Sequence, residues 1–136
     1  MRLPRFLVGS AMTVALLAPM APAHAAEVDL YAGLHHGRYF STVTGYSEYE
    51  RTSHSREVEV TVRHLPKWMV GRHVTVYVAG HKVGTMLVRT YGYAHRDWDT
   101  TRSQYVPYAA VGSLVRVWAP GGRLIASGKY VYDWSS

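Results

Sequence analysis

The feature that most constrains the fold of this chain is an alternation of valines with polar residues. Residues 57–63 place three valines on one side of an extended chain and two glutamates, a threonine and an arginine on the other. Residues 73–78, 114–118 and 129–134 repeat this two-residue period, and no long helical stripe appears. Successive side chains of a strand point to opposite faces of a sheet. The pattern therefore predicts half-buried antiparallel strands.

Turn residues separate these strands at short, regular intervals. Glycine supplies the positive φ that a tight turn requires, and Gly80, Gly121 and Gly122 stand between apolar runs. Short strands with frequent turn signals predict an all-β fold, a small antiparallel β-sandwich of about seven strands. We expect strands at residues 28–32, 38–44, 57–64, 73–79, 83–91, 113–118 and 123–132, with 94–112 as an irregular crossing that holds one weak strand near 105–108.

Residues 1–25 have the three-part layout of a secretory signal peptide. A cationic start is followed by an apolar stretch at residues 6–18 and by small residues at 23–25. The apolar stretch is shorter than the about 20 residues that span a bilayer, which argues against a membrane anchor. We expect cleavage after Ala25 and release of residues 26–136 as one secreted domain, with no membrane association afterwards. Arginine outnumbers lysine and asparagine is absent, which is typical of GC-rich bacterial genomes.

Two segments of the chain resemble each other. Residues 74–83 and 115–124 both consist of a valine-rich strand, a glycine turn, a basic residue and an apolar strand. They could face one another across a sandwich, or they could simply share the layout of any hairpin in a small sandwich. The first segment, extended to Val-Gly-Thr85, resembles the central hairpin of bacterial immunoglobulin-like modules. The resemblance implies an extracellular immunoglobulin-like β-sandwich used for spacing or binding, usually without catalysis.

Motifs of catalysis and of metal or cofactor binding are absent from the sequence. There is no cysteine, which excludes thiolate metal sites and a thiol nucleophile. No nucleophile elbow, zinc-protease motif, phosphate-binding loop or dinucleotide fingerprint occurs. The histidines are scattered, and adjacent His35 and His36 would point to opposite faces of a strand. We therefore expect no zinc, no copper and no other cofactor.

Asp97 and Asp99 allow two interpretations. Paired carboxylates can perform acid–base hydrolysis or hold calcium. Aspartates in a polar loop can also accept backbone N–H bonds within a turn, and Arg96 and Arg102 would pair with them. The second interpretation is favoured, so we assign no catalytic residue and predict that the chain is not an enzyme.

Aromatic residues make up 12% of the chain, and two of them lie at matching places of the repeated hairpins. Valines occupy the buried face of both strands. Because side chains alternate between faces along a strand, Tyr77 and Trp118 are expected on the outer face, beside Thr75 and Arg116. An adjoining strand is expected to add Arg63. Such a row could stack a sugar ring or pair with an anionic polymer; it could equally be a second apolar layer or a set of cross-strand pairs. The candidate ligand-binding residues are Tyr77, Trp118, Arg116 and Arg63.

Together these features predict a secreted, non-enzymatic module that binds or decorates the cell envelope or another extracellular polymer, such as a polysaccharide. The basic residues are dispersed, so nucleic acid is not expected as a partner. One alternative is a secreted-protein partner, an inhibitor of an extracellular enzyme that inserts residues 94–112 into a cleft. Another is a small hydrolase that uses Asp97 or Asp99 with a histidine. Edge strands could pair between chains, which leaves the oligomeric state open.

Overall fold

A computed structural model describes residues 27–135, so the signal peptide predicted at residues 1–25 lies outside the described residues. Within residues 27–135, the regular elements are nine strands and three short 3-10 helices. The helices are Lys67–Met69, Thr90–Gly92 and Thr100–Arg102, none with the length and apolar character needed to cross a bilayer. The strands are β1 (Val28–His36), β2 (Thr44–Arg51), β3 (Arg56–Arg63), β4 (His73–Val78), β5 (His81–Leu87), β6 (Ala94–Asp99), β7 (Leu114–Trp118), β8 (Leu124–Lys129) and β9 (Val131–Tyr132).

The strands form one antiparallel sheet that curls back on itself. Its order is β5–β4–β7–β8–β1–β2–β3–β6, and β9 pairs with β1. Side chains join the two end strands: Nη1 of Arg96 on β6 donates a hydrogen bond to the carbonyl oxygen of Thr85 on β5, at 2.9 Å. The indole of Trp98 also lies against Gly84. The β5–β4–β7–β8 half therefore faces the β1–β2–β3–β6 half, in a sandwich that is nearly a barrel.

Valines of β3, β4 and β7 fill the core between the two halves. They occupy the inward positions that the alternation predicts, and the all-β sandwich is confirmed. Burying one such side chain contributes about 1.5–3 kcal/mol relative to exposure. The valines without any exposed surface on these three strands are Val58, Val60, Val62, Val74, Val76, Val78, Val115 and Val117.

The sheet has nine strands rather than about seven, partly because two of its strands, β2 and β6, lack the valine pattern. β2 turns the polar groups of Ser47 and Tyr49 inward, so no apolar alternation marks it. Residues 38–44, where a strand is predicted, consist mainly of turns that precede β2. β6 carries the charged Arg96 at a position of inward parity, and it lies in the segment 94–112 that is predicted to be irregular.

Two buried tyrosines hold the connection between β6 and β7 and the C-terminal end of the chain against the sheet. The hydroxyl of Tyr49 donates to the carbonyl oxygen of Pro107 at 2.7 Å and accepts the N–H of Ala109 at 3.1 Å. The hydroxyl of Tyr130 lies 2.6 Å from Oγ of Ser47. The connection is therefore packed against the sheet, although the weak strand predicted within it does not form.

We expect Tyr49→Phe to lower the free energy of unfolding by about 1–3 kcal/mol, because two buried backbone groups lose their hydrogen-bond partner. Urea unfolding followed by tryptophan fluorescence measures this. Tyr132→Phe is the matched control, since that ring is 52% exposed, and it should change stability by less than about 0.5 kcal/mol. A Tyr49→Phe variant as stable as the parent would show that the hydroxyl does not anchor the connection.

Gly84→Ala tests the closure of β5 against β6. A Cβ at this position would lie 2.8 Å from Nε1 of Trp98, so the indole or the strand must move. We expect a loss of about 1–3 kcal/mol in the free energy of unfolding, measured in the same way. Gly33→Ala is the control, because the nearest side-chain atom to its Cβ would be 4.0 Å away. Equal stability of the two variants would contradict the closure.

Candidate functional site

The outer face of β4 and β7 carries the predicted aromatic row. Thr75 lies opposite Trp118, and Tyr77 lies opposite Arg116, in the antiparallel register of the two strands. The valines that alternate with them are fully buried, so these four side chains share the side of the sheet that faces solvent. The structure thus brings together the four residues that parity predicts.

The four side chains line a shallow, open depression of about 500 Å³. It extends from the β4–β5 turn at Gly80 to the β7–β8 turn at Gly122. Tyr77 and Trp118 are half-buried, whereas Arg116 is exposed. The sheet therefore holds the rings in place and leaves part of each ring available to a ligand.

Lys82 adds a second cation that the alternation of residues does not predict as a site residue. The register of β4 and β5 shifts at a bulge: Val76 pairs with Gly84. One residue further along β4, Tyr77 pairs with Lys82. Lys82 consequently joins Tyr77 and Arg116 in one row across three strands and lines the depression. In the sequence, the position of Lys82 just after the glycine turn was the one sign that it could join the site. Strict alternation cannot predict on which face of the sheet a residue lies when a bulge shifts the register.

The prediction that Arg63 joins this row is wrong. Its strand, β3, pairs with β2 and β6 in the other half of the sandwich. The guanidinium of Arg63 lies instead 5.7 Å from the ring centroid of Tyr93. Residues 64–72 carry the chain from one half to the other, so β3 and β4 are consecutive along the chain but are not neighbours in the sheet.

Asp97 and Asp99 are held by neighbouring side chains, as the turn interpretation expects. Oδ1 of Asp99 accepts the backbone N–H and the hydroxyl of Thr101, each at 2.8 Å, and these bonds lower the pKa of Asp99. Arg102 lies 3.3 Å from the carboxylate of Asp97. Arg96, which was also expected to pair with them, reaches β5 instead. Both carboxylates therefore have structural partners.

The outer face of the other half of the sandwich is acidic. Register aligns carboxylates of β1, β2, β3 and β6 opposite one another, and like charges in such positions repel. This acidic face gathers all nine acidic residues of the chain. They are Asp29, Glu50, Glu57 and Asp99 in one row, Glu48, Glu59 and Asp97 in the next, and Glu27 and Asp133 beside them.

Burial and the approach of other carboxyl groups raise pKa values on the acidic face. The pKa of Glu50 rises to about 7, chiefly through a hydrogen bond with the carboxyl group of Glu27 and further through partial burial and the charges of Asp29 and Glu57. The pKa values of Glu48 and Glu57 are also raised, chiefly by burial. Glu50 therefore exchanges its proton near neutral pH.

Three of these carboxylates approach one another closely. Within residues 27–135, one set of three potential metal ligands has its ligand atoms within 4.8 Å of one another, and it consists of Glu27, Asp29 and Glu50. Exposed carboxylates commonly cluster without an ion, so this proximity does not by itself define a metal centre. No histidine belongs to the set, and the expectation that the histidines bind neither zinc nor copper stays a prediction.

The charge of the depression on β4 and β7 contrasts with that of the acidic face. Lys82 and Arg116 line the depression, and no carboxylate of residues 27–135 does. Because the acids are collected on the other half of the sandwich, these two cations keep their charge available for a ligand.

Comparison with known proteins bears on the fold only. No known sequence family matches this chain, and no curated protein matches it. Among solved structures, a single-residue variant of superoxide dismutase 5 from Candida albicans is similar, with a TM-score of 0.55 and 11% sequence identity. The similarity covers 82% of this chain and 96% of that chain. At this level of identity it reflects a shared all-β architecture.

We expect Glu50→Gln to stabilise the protein above pH 7 and to have little effect below pH 4.5. Because its pKa is raised in the folded state, the native protein binds more protons than the unfolded chain, and stability falls as the pH rises from 4.5 to about 7. Glutamine does not ionise, so the variant does not lose this stability as the pH rises. Above pH 7 its Tm should therefore exceed that of the parent by about 3 °C. Thermal unfolding on either side of the window measures the effect.

Asp99→Asn is a control of opposite sign. Hydrogen bonds from Thr101 lower the pKa of Asp99, so its charge stabilises the folded state above the ordinary pKa and this contribution is lost as the pH falls. We expect Asp99→Asn to lower Tm above pH 7, where Glu50→Gln raises it. A gain for Glu50→Gln of the same size on both sides of the window would contradict the ionisation of Glu50 as its cause.

Proposed function

We propose that this chain is a secreted, non-catalytic β-sandwich module that binds an extracellular polymer at the outer face of β4 and β7. One observation carries the proposal: two aromatic rings, Tyr77 and Trp118, and two cations, Lys82 and Arg116, line a single open depression. An aromatic ring offers apolar surface to the C–H face of a sugar, and the cations attract anionic groups. The combination favours a polysaccharide of the cell envelope.

Other features support the remaining parts of the proposal. Residues 1–25 have the layout of a bacterial signal peptide, which favours secretion. The absence of catalytic motifs favours a binding role. Residues 74–85, which carry the resemblance to bacterial immunoglobulin-like modules, contribute to the β4–β5 hairpin and to the wall of the depression. We propose that the chain is related to such modules.

An inhibitor loop and a hydrolase site have less support. Nη1 of Arg56 donates to the carbonyl oxygen of Val106 at 3.1 Å, and Nε of Arg51 donates to that of Ala109 at 3.0 Å. These bonds tie the connection between β6 and β7 to the sheet, whereas an inhibitory loop must project into its target. Both aspartates of a hydrolase site are already engaged by their neighbours.

Binding to peptidoglycan, chitin, cellulose and teichoic acid tests the proposal. We expect at least one of the four polymers to retain the protein, and Tyr77→Ala and Arg116→Gln each to weaken that binding about tenfold. Sedimentation with the insoluble polymers and calorimetry with the soluble one measure the affinities. Added salt should weaken the contribution of Arg116, because screening reduces attraction between exposed charges.

Tyr132→Ala and Lys129→Gln are the matched controls, since each removes an exposed ring or cation that does not line the depression. They should bind as the parent does. Circular dichroism melts of all four variants separate lost binding from lost folding. Indifference of the parent to every polymer, or unchanged affinity of the Tyr77 and Arg116 variants, would count against the proposal.

A further inference from the structure

A second depression adjoins the first around the β7–β8 turn. It has a volume of about 340 Å³, and Ala119 lines both depressions. Three separate connections supply its walls: Tyr39 lies between β1 and β2, Trp68 lies between β3 and β4, and Arg123 follows the turn. The surface described above therefore does not end at Trp118 but continues around the turn.

The second depression repeats the chemistry of the first. Its rings, Tyr39 and Trp68, are 57% and 56% exposed. The guanidinium of Arg123 lies 4.2 Å from the ring centroid of Tyr39, and that of Arg72 lies 5.7 Å from the ring of Trp68. Stacking on a ring orients a guanidinium group and leaves the N–H donors at its edge free for carboxylate or phosphate oxygens.

The cations of the two depressions are not neutralised by the protein. The ion pairs formed within residues 27–135 all lie on the acidic face. Lys82, Arg116 and Arg123, which line the two depressions, take part in none of them. An anionic ligand would meet three cations whose charge no paired carboxylate offsets, whereas a neutral polymer would gain nothing from them.

We propose that the two depressions form one continuous site for a linear anionic polysaccharide. Its sugar rings would pack on the aromatic side chains, and its carboxylate or phosphate groups would meet Lys82 and the arginines. The first depression alone follows about five residues of strand, or roughly 15 Å, so a polymer that occupies both must be extended. The inference rests on the proposed function, because the first depression is the same surface.

Chain length and charge of the ligand test the inference. Calorimetry would compare polygalacturonate with a phosphate-linked polysaccharide, each beside its own trimer, and with dextran as the uncharged polymer. The two anionic polymers separate carboxylate from phosphate sources. We expect one of the anionic polymers to bind about tenfold more tightly than its own trimer, and dextran not to bind. If dextran binds as tightly as the anionic polymers, the inference that the site selects an anionic ligand is wrong. If single-stranded DNA binds more tightly than these polymers, the inference that the ligand is a polysaccharide is wrong.

Two substitutions in the second depression test its continuity with the first. We expect Trp68→Ala and Arg123→Glu each to weaken polymer binding about tenfold. Both variants should still bind the trimer, whereas Tyr77→Ala should abolish trimer binding. Trp134→Ala and Arg89→Glu are the matched controls, because these exposed side chains line neither depression.

The outcomes separate this inference from the proposed function. If Trp68→Ala and Arg123→Glu bind the polymer as the parent does while Tyr77→Ala does not, the extended site is wrong and the proposed function stands. If the parent binds no extracellular polymer at all, the proposed function fails and the extended site fails with it.

Discussion

The burial of valines on both sides of the sandwich is the constraint on which the rest of the structure depends. Val76 and Val117 pair across β4 and β7 with no exposed surface. A slip of either strand by one residue would move its valines to water and its aromatic ring into the core. Core packing therefore also keeps Tyr77 and Arg116 on the outer face of the sheet, where the register of β4 and β7 places them opposite each other. The candidate site is held by the sheet and does not depend on a loop to assemble it.

The two outer faces of the sandwich carry opposite charge. Gathering the acidic residues on one half costs stability, as the raised pKa of Glu50 indicates. The same arrangement leaves Lys82, Arg116 and Arg123 without carboxylate partners within residues 27–135. Basic side chains that stack on aromatic rings, such as Arg123 on Tyr39, are then free to meet an anionic ligand.

Sequence patterns predicted the strands whose inward residues are apolar and failed where those residues are polar. β2 was not predicted because its inward residues include Ser47 and Tyr49, which are polar. The core accommodates both side chains because each hydroxyl is hydrogen-bonded. β6 was not predicted because Arg96, which hydrogen-bonds to β5, interrupts the alternation of apolar and polar residues along the strand. In the candidate site, Tyr77, Trp118 and Arg116 were predicted correctly as neighbours, while Lys82 was missed because a bulge places it there.

The amino-acid sequence by itself determined the all-β class and the face on which most strand side chains lie, because a period of two depends only on adjacent residues. Only the tertiary structure decided which strands adjoin, since strand order depends on contacts between segments far apart in the chain. That is why Arg63 lies away from the aromatic row although its strand precedes β4. For the same reason, Tyr39, Trp68 and Arg123 meet from three separate connections that no local pattern links.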